Sequence, residues 1–157
     1  MANTTPATLA LAAEGVAYEI LRYDYDPGSD RVGLQAADAL GLAPSVLLKT
    51  LMALVDNKPV RVIVPSDREV SMKALAAAVG GKSAQMMKPA DAERLTGYKV
   101  GGISPFGQKK PCPAVIEEDA LFEDAVYING GQRGLILKLD PEAAMKAAGA
   151  IAAAISS

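Results

Sequence analysis

The run Val46–Val55 constrains the fold more than any other stretch of this chain, because both of its alternating faces are apolar. A strand that is greasy on both sides cannot lie at the surface of a half-solvated meander. It must sit inside a sheet with packed layers above and below. One residue breaks the pattern: Lys49, which points the same way as Leu47, Leu51 and Ala53. Burying an unpaired ammonium is costly, so Lys49 either snorkels to the surface, guards a sheet edge, or faces a polar cavity. The pattern alone leaves these three open. Half of the 157 residues are apolar, enough to build the core such a strand requires without disulfide staples.

Around that strand the periodicity alternates between helix and strand. Thr5-Pro6 reads as an N-cap and first helical residue, with Gly15 closing the helix. Val16–Tyr23 alternates as a strand, residues 24–33 form a loop through Pro27-Gly28, and Leu34–Leu40 is a short helix ended by Gly41. Val46–Val55 and Val60–Pro65 pair through a turn at Asp56-Asn57-Lys58. Ser71 caps a helix to Val79, stopped by Gly80-Gly81. Ser83–Met87 and Ala114–Glu117 read as strands, and Pro89–Leu95 as a helix. Tyr127–Leu139 is expected to be a hairpin with Asn129-Gly130 as its tight turn, since that dipeptide accepts positive φ. After Asp140-Pro141, the alanine-rich segment Glu142–Ile155 is expected to be one packed helix. Strands scattered among helices with at least one hairpin imply an α+β fold, residues 1–157 forming a single domain with a mixed sheet.

The missing residues narrow the chemistry. With no histidine and a single cysteine, Cys112, the chain cannot build a Ser-His-Asp or Cys-His arrangement, a His-ligated metal or an intrachain disulfide. Catalysis falls to Lys, carboxylates, Tyr, hydroxyls, backbone amides or the substrate itself. A formal net charge of −2 argues against tight autonomous nucleic-acid binding while permitting a local basic patch. No signal-peptide pattern or membrane-spanning run is apparent, and the lone cysteine suits the cytoplasm. The stretch from Gly101 to Lys110, GGISPFGQKK, gathers glycines, a proline and one hydroxyl. Adjacent glycines let main chain approach a ligand closely, and the proline holds Ser104 out of the helical region. It is either a pocket wall or a tight connection.

Several segments occur in a telling order: Tyr23–Pro27, Ala36–Gly41, Lys49-Thr50-Leu51, Thr96–Lys110 and Tyr127–Leu135. Together they resemble the YbaK/EbsC family of free-standing aminoacyl-tRNA deacylases, whose fold also occurs as the editing insertion of bacterial prolyl-tRNA synthetases. The resemblance implies a single domain with a mixed, barrel-like sheet flanked by helices. It implies trans-editing hydrolysis of mischarged tRNA, Cys-tRNA(Pro) above all, with the substrate's own thiol attacking its ester. Ala- or Ser-tRNA editing through an activated water, and a non-catalytic small-ligand module, are the alternatives.

On this resemblance Lys49 is the catalytic residue, stabilising the oxyanion or anchoring the tRNA 3′ end. Tyr23, Thr50, Gly101, Gly102, Ile103, Ser104, Pro105, Asn129, Gly130 and Gly131 surround the aminoacyl group. Thr50 lies on the opposite face of an ideal strand from Lys49, so its participation calls for a twist or bulge. Ser104 reads as a turn hydroxyl, because no base is identifiable beside it. Lys109, Lys110 and Arg133 form a basic rim for tRNA. The partners implied are the aminoacyl-tRNA acceptor end and prolyl-tRNA synthetase, with no cofactor, metal or membrane. Tyr25, Val32, Asn129 and Ile136 stand where many relatives carry His, Phe, Ser and Asp, which leaves amino-acid preference less determined than reaction class.

Overall fold

In a computed structural model the described residues are 4–28 and 34–157; Val32 and the end of the loop before the second helix lie outside them. The helices are α1 (Pro6–Ala13), α2 (Gln35–Leu40), α3 (Met72–Ala78), α4 (Pro89–Thr96) and α5 (Pro141–Ala148). The strands are β1 (Glu19–Arg22), β2 (Leu47–Val55), β3 (Lys58–Pro65), β4 (Ala84–Met86), β5 (Ala114–Glu117), β6 (Val126–Asn129), β7 (Leu135–Leu139) and β8 (Ala150–Ala153). None of these helices is long and apolar enough to cross a membrane.

Local signals set most helix starts. Thr5 and Thr8 close a reciprocal capping box ahead of Pro6, Ser71 Oγ accepts from the Ala74 N–H, and the Asp140 carboxylate accepts from the Ala143 N–H ahead of α5. Each cap satisfies donors the first turn would otherwise leave orphaned.

The strands form one mixed sheet in the order β1-β7-β6-β2-β3-β5-β8, with β4 pairing β2 off this path. Its ends, β1 and β8, are not paired to each other. Parallel pairs join β2 to β6, β3 to β5 and β5 to β8; the remaining ladders are antiparallel. The doubly apolar strand is interior, as its pattern demands. Leu48 packs into one cluster with α1, α5, Ile128 and Leu137, whereas Ala53 and Val55 pack into another with Leu75 and Ala76 of α3.

Two local expectations are overturned. The segment Glu142–Ile155 is not one helix: α5 ends at Ala148, Gly149 turns left-handed at φ 64°, and Ala150–Ala153 becomes β8, parallel to β5. Alanine's helix preference is worth only tenths of a kcal/mol per residue, ~0.5, so a complete set of ladder hydrogen bonds overrides it. Nor is Asn129-Gly130 a two-residue turn. The β6–β7 connection runs from Gly130 to Gly134, with positive φ at Gly131 and Gly134, while Asn129 closes β6 and its Oδ1 accepts from the Gly131 N–H at 2.8 Å. A tight two-residue turn is made by Asp56-Asn57, at φ 49° and 67°, between β2 and β3. There the Asp56 carboxylate accepts from the N–H groups of Lys82 and Ser83.

A buried carboxylate fastens the chain's end. Glu117, 1% exposed, accepts through Oε1 from the N–H groups of Ile155 and Ser156 (both 3.0 Å) and from Ser156 Oγ (2.7 Å). Its Oε2 takes the Asp119 N–H at 3.1 Å, and Arg68 stands 3.8 Å away. Removing it takes the acceptor from one buried and three partly buried donors at once. Glu117→Ala is therefore expected to lower unfolding free energy by about 3 kcal/mol, and Glu117→Gln, which keeps an acceptor, by less, as read from urea denaturation midpoints.

Candidate active site

The sheet has a gap, and the gap holds the site. Along one edge β2 pairs with β3 without interruption from Leu48↔Pro65 to Val55↔Lys58. Along the other it pairs with β6 only as far as Leu48↔Ile128 and with β4 only from Ala53↔Met86 onward. Between these ladders no strand stands opposite Lys49–Met52 among the described residues. The Val46 carbonyl accepts from the Tyr127 N–H (2.9 Å) and the Met52 carbonyl from the Met87 N–H (3.0 Å), so even-numbered residues turn their main chain toward this edge. By the two-residue period, the Thr50 N–H and C=O face the gap as well.

A cavity of about 350 Å³ opens there, of a size that suits a small ligand. Lys49, Thr50, Met52 and Leu47 of β2 line it with Ser66, Tyr23, Tyr25, Ala36, Met86, Met87, Val100, Gly101, Ile103, Asn129 and Ile136 among others. Lys49 and Thr50 belong to opposite faces of the strand, yet both reach the cavity. No bulge is needed, because the β2–β3 register is unbroken. The unpaired edge gives both faces access.

Lys49 is half-buried and its Nζ donates a long 3.4 Å bond to the Ser66 carbonyl. Burial pushes its pKa below the ordinary lysine value, opposed by the more distant Glu69 and Asp67 carboxylates. Among the described residues no carboxylate forms an ion pair with it. Among the described residues it is the one cation of the lining, which includes no Asp, Glu, His or Cys. Thr50 Oγ1 is buried and has no hydrogen-bond partner, a polar atom still to be satisfied. Tyr23, where the strand β1 ends, has its phenol pKa raised by burial first and Tyr25 second.

The glycine-rich loop forms one wall. At Gly101, φ is +90° and a Cβ would lie 2.7 Å from the Tyr25 hydroxyl, so only glycine lets Tyr25 close over the chain here. The Gly101 carbonyl accepts from Asn129 Nδ2 (3.1 Å), and Arg133 Nε donates to the Val100 carbonyl (2.9 Å) while its guanidinium lies 5.0 Å from the Tyr25 ring centre. These contacts fasten the Val100–Ile103 wall to the β6–β7 loop.

Other anticipated residues lie elsewhere. Gly102 is buried behind the wall, against the backbone of Gln132 and Arg133. Ser104 is fully buried, its Oγ accepting from the Phe106 N–H at 3.3 Å, and neither it nor Pro105 lines the cavity. Gly130 packs beside Leu135 and Leu137, its carbonyl accepting from Thr5 Oγ1 (2.6 Å), and Gly131 packs beside Tyr98. Arg133 stays near the mouth, the Lys109 N–H bonds to the Thr96 carbonyl, and Lys110 lines a second cavity of about 530 Å³ with Lys58 and Cys112. The methionines Met52, Met86 and Met87, with Ser66, were not singled out by the sequence; apolar strand residues carry no mark of the cavity they face.

The aminoacyl-tRNA editing domain model matches residues 31–147, most of the chain. The chain is 36% identical over 124 residues to an Enterococcus faecalis protein, EbsC, named for Cys-tRNA(Pro)/Cys-tRNA(Cys) deacylation, covering 77% of this chain and 75% of that one. It is 27% identical over 132 residues to the Escherichia coli (strain K12) multifunctional Ser/Thr-tRNA deacylase ProXp-y, covering 82% and 78%. A crystal structure described as a trans-editing enzyme for prolyl tRNA synthetase shares the fold at TM-score 0.82 and 24% identity, over 99% of both chains. The chain belongs to the aminoacyl-tRNA editing-domain family.

A desolvated ammonium destabilises the fold while it remains charged. With its pKa lowered in the folded state, Lys49 costs stability at neutral pH, and the cost fades as pH rises toward the ordinary lysine range. Lys49→Met is accordingly expected to raise the thermal midpoint at pH 7, with the advantage narrowing toward pH 10, as followed by circular dichroism melts.

Proposed function

We propose that this member of the editing-domain family, an aminoacyl-tRNA deacylase, removes a small side-chain-bearing acyl group from mischarged tRNA, with Cys-tRNA(Pro) as its preferred substrate. One observation carries the reading: among the described residues the cavity lining presents a single ammonium and several hydroxyls, with no carboxylate, imidazole or thiol to serve as a base or activate a nucleophile. A substrate that brings its own nucleophile suits such a site. In this reaction the cysteine thiol adds to its own ester carbonyl, the C–O bond to the ribose breaks, and the thiol proton ends on the released ribose hydroxyl. Water then opens the thiolactone. The protein's part is to hold thiol and carbonyl together and to stabilise the oxyanion.

Lys49 is proposed for the oxyanion. Thr50, through its unpartnered hydroxyl and edge-facing main chain, and the Gly101–Ile103 wall are proposed to orient the aminoacyl group, with Tyr23 and Asn129 beside it. Gly102 and Asn129 act by shaping the wall. The apolar surfaces of Met52, Met87 and Ile136 favour a soft or apolar side chain over a charged one, whose desolvation they cannot repay. Arg133 at the mouth is proposed to meet a phosphate of the acceptor end, and Lys109 and Lys110 to meet the tRNA farther out. Selection of tRNA(Pro) is assigned to a cytoplasmic partnership with prolyl-tRNA synthetase, in keeping with the tRNA(Pro) in the name of EbsC.

A second reading has its own support. The free Thr50 hydroxyl can pair with a substrate hydroxyl, and ProXp-y is named for Ser/Thr-tRNA. The two are separated by rate. Substrate assistance predicts Cys-tRNA cleaved at least ~100-fold faster than Ser-tRNA, with a methylated thiol resistant; equal rates on both favour an activated water. On either substrate, Lys49→Ala is expected to lower single-turnover deacylation at least ~100-fold in a folded protein. Wild-type rates from that variant would return Lys49 to an edge-guarding role.

A further inference from the structure

One residue outside the cavity ties down the segment that follows its glycine wall. The chain leaves the wall at Ile103 and enters a segment, Ser104 to Pro113, with no regular secondary structure before β5. Backbone carbonyls without a ladder need other donors. Three successive carbonyls here each take one from a different side chain. The Ser104 carbonyl accepts from Gln108 Nε2 (3.0 Å), the Pro105 carbonyl from Arg61 Nη1 (2.6 Å), and the Phe106 carbonyl from the Tyr98 hydroxyl (2.5 Å). Only the middle donor is a charge, and it does more than one job. Arg61 also donates through Nε and Nη2 to the Cys112 carbonyl (3.2 and 2.7 Å), and its own main-chain N–H donates to the Pro113 carbonyl (2.8 Å).

A single arginine thus joins both ends of the segment to the centre of the sheet. Arg61 lies in β3 directly opposite Met52, whose side chain lines the cavity, and the Gln108 amide approaches Met52 Sδ at 3.7 Å. The segment is therefore seated against the same β2–β3 pair that carries the cavity floor. A guanidinium holds two carbonyls in one rigid planar fork; an ammonium has donors for both but no fixed geometry between them.

We infer that Arg61 is a positioning residue of the deacylase, setting the Gly101–Ile103 wall through Pro105 so that the aminoacyl group is held in register with Lys49. This rests on the proposed role of that wall in binding the acyl group. The loss of such a tie displaces the wall by fractions of an ångström, enough to matter when near-attack geometry sets the rate.

The test uses the full chain with Arg61→Lys, which keeps the charge and loses the fork, and Arg61→Ala with and without millimolar guanidinium. Two readings are taken: amide hydrogen exchange at Gly102 and Ile103 against β2 and β3, and the ratio of deacylation rates on Cys-tRNA and Ser-tRNA. Arg61→Lys is expected to speed exchange in the wall while the strands stay protected, to lower kcat about 10-fold, and to compress the substrate ratio at least ~3-fold. Guanidinium is expected to restore part of the loss in Arg61→Ala. A merely structural role lowers the active fraction and leaves the ratio unchanged, so an unchanged ratio overturns the inference. So does unchanged exchange at Gly102 and Ile103, which reads the wall whether or not the enzyme turns over. If Arg61→Ala does not fold, Arg61→Lys decides alone. A wild-type protein that deacylates neither substrate overturns the reading of the wall as an acyl site, and exchange alone then judges the tie.

Discussion

The site depends on an asymmetry in the pairing of one strand. β2 is bound along its whole length to β3, which fixes its path, and is handed from β6 to β4 on its other edge with a gap between them. A completed ladder would satisfy the main chain at Thr50 and close the cavity. The gap instead leaves backbone polar groups, an orphaned threonine hydroxyl and a partly desolvated lysine around one small volume. Such unsatisfied groups are costly in a core and useful where a ligand supplies the missing partners.

The gap persists because its two shores are held independently. On one side Asn129 leaves β2 and reaches across to the Gly101 carbonyl, drawing the glycine wall over the opening. On the other, the Met87 N–H ends the β4 side by bonding to Met52, and α4 begins at Pro89. Tyr25 and Arg133 close the mouth through a stacked contact possible only beside a residue without a Cβ. The wall is flexible in composition and constrained in context: glycine supplies the conformation, and side chains from β6, β3 and the β6–β7 loop remove the freedom glycine would otherwise keep.

The chemistry follows from what such a cavity lacks. Without histidine, and with no acid among the described lining residues, it shows one cation and a set of dipoles. Electrostatic stabilisation and orientation are the forms of catalysis those groups can supply, which is why a substrate carrying its own nucleophile fits the family reading. The same poverty explains why reaction class is better determined than substrate: side-chain preference turns on the shape and polarity of Ile136, Met52 and Thr50, each ambiguous taken singly.

What the sequence by itself determined was local or periodic. Helix starts at Thr5-Pro6, Ser71 and Asp140-Pro141 were legible because a cap and its helix lie within four residues. The interior place of β2 was legible because burial on two faces leaves a two-sided apolar pattern. The lysine that breaks that pattern was visible as an anomaly, though its alternatives were not separable. Tertiary structure decided the rest. Ala150–Ala153 became a strand because β5 offered a partner, a long-range gain no propensity encodes. The hairpin turn lay beyond Asn129 because that side chain was drawn into an Asx turn and a bond to Gly101. Ser104 and Pro105 faced away from the cavity that Gly101 lines, since Arg61 and Tyr98, far off in sequence or pointing unpredictably, hold the neighbouring carbonyls. Lys49 and Thr50 share a site although an ideal strand separates them, and the lack of a further strand at that edge among the described residues makes this possible: a sequence records what each residue is, and the gap is a property of what does not stand beside it.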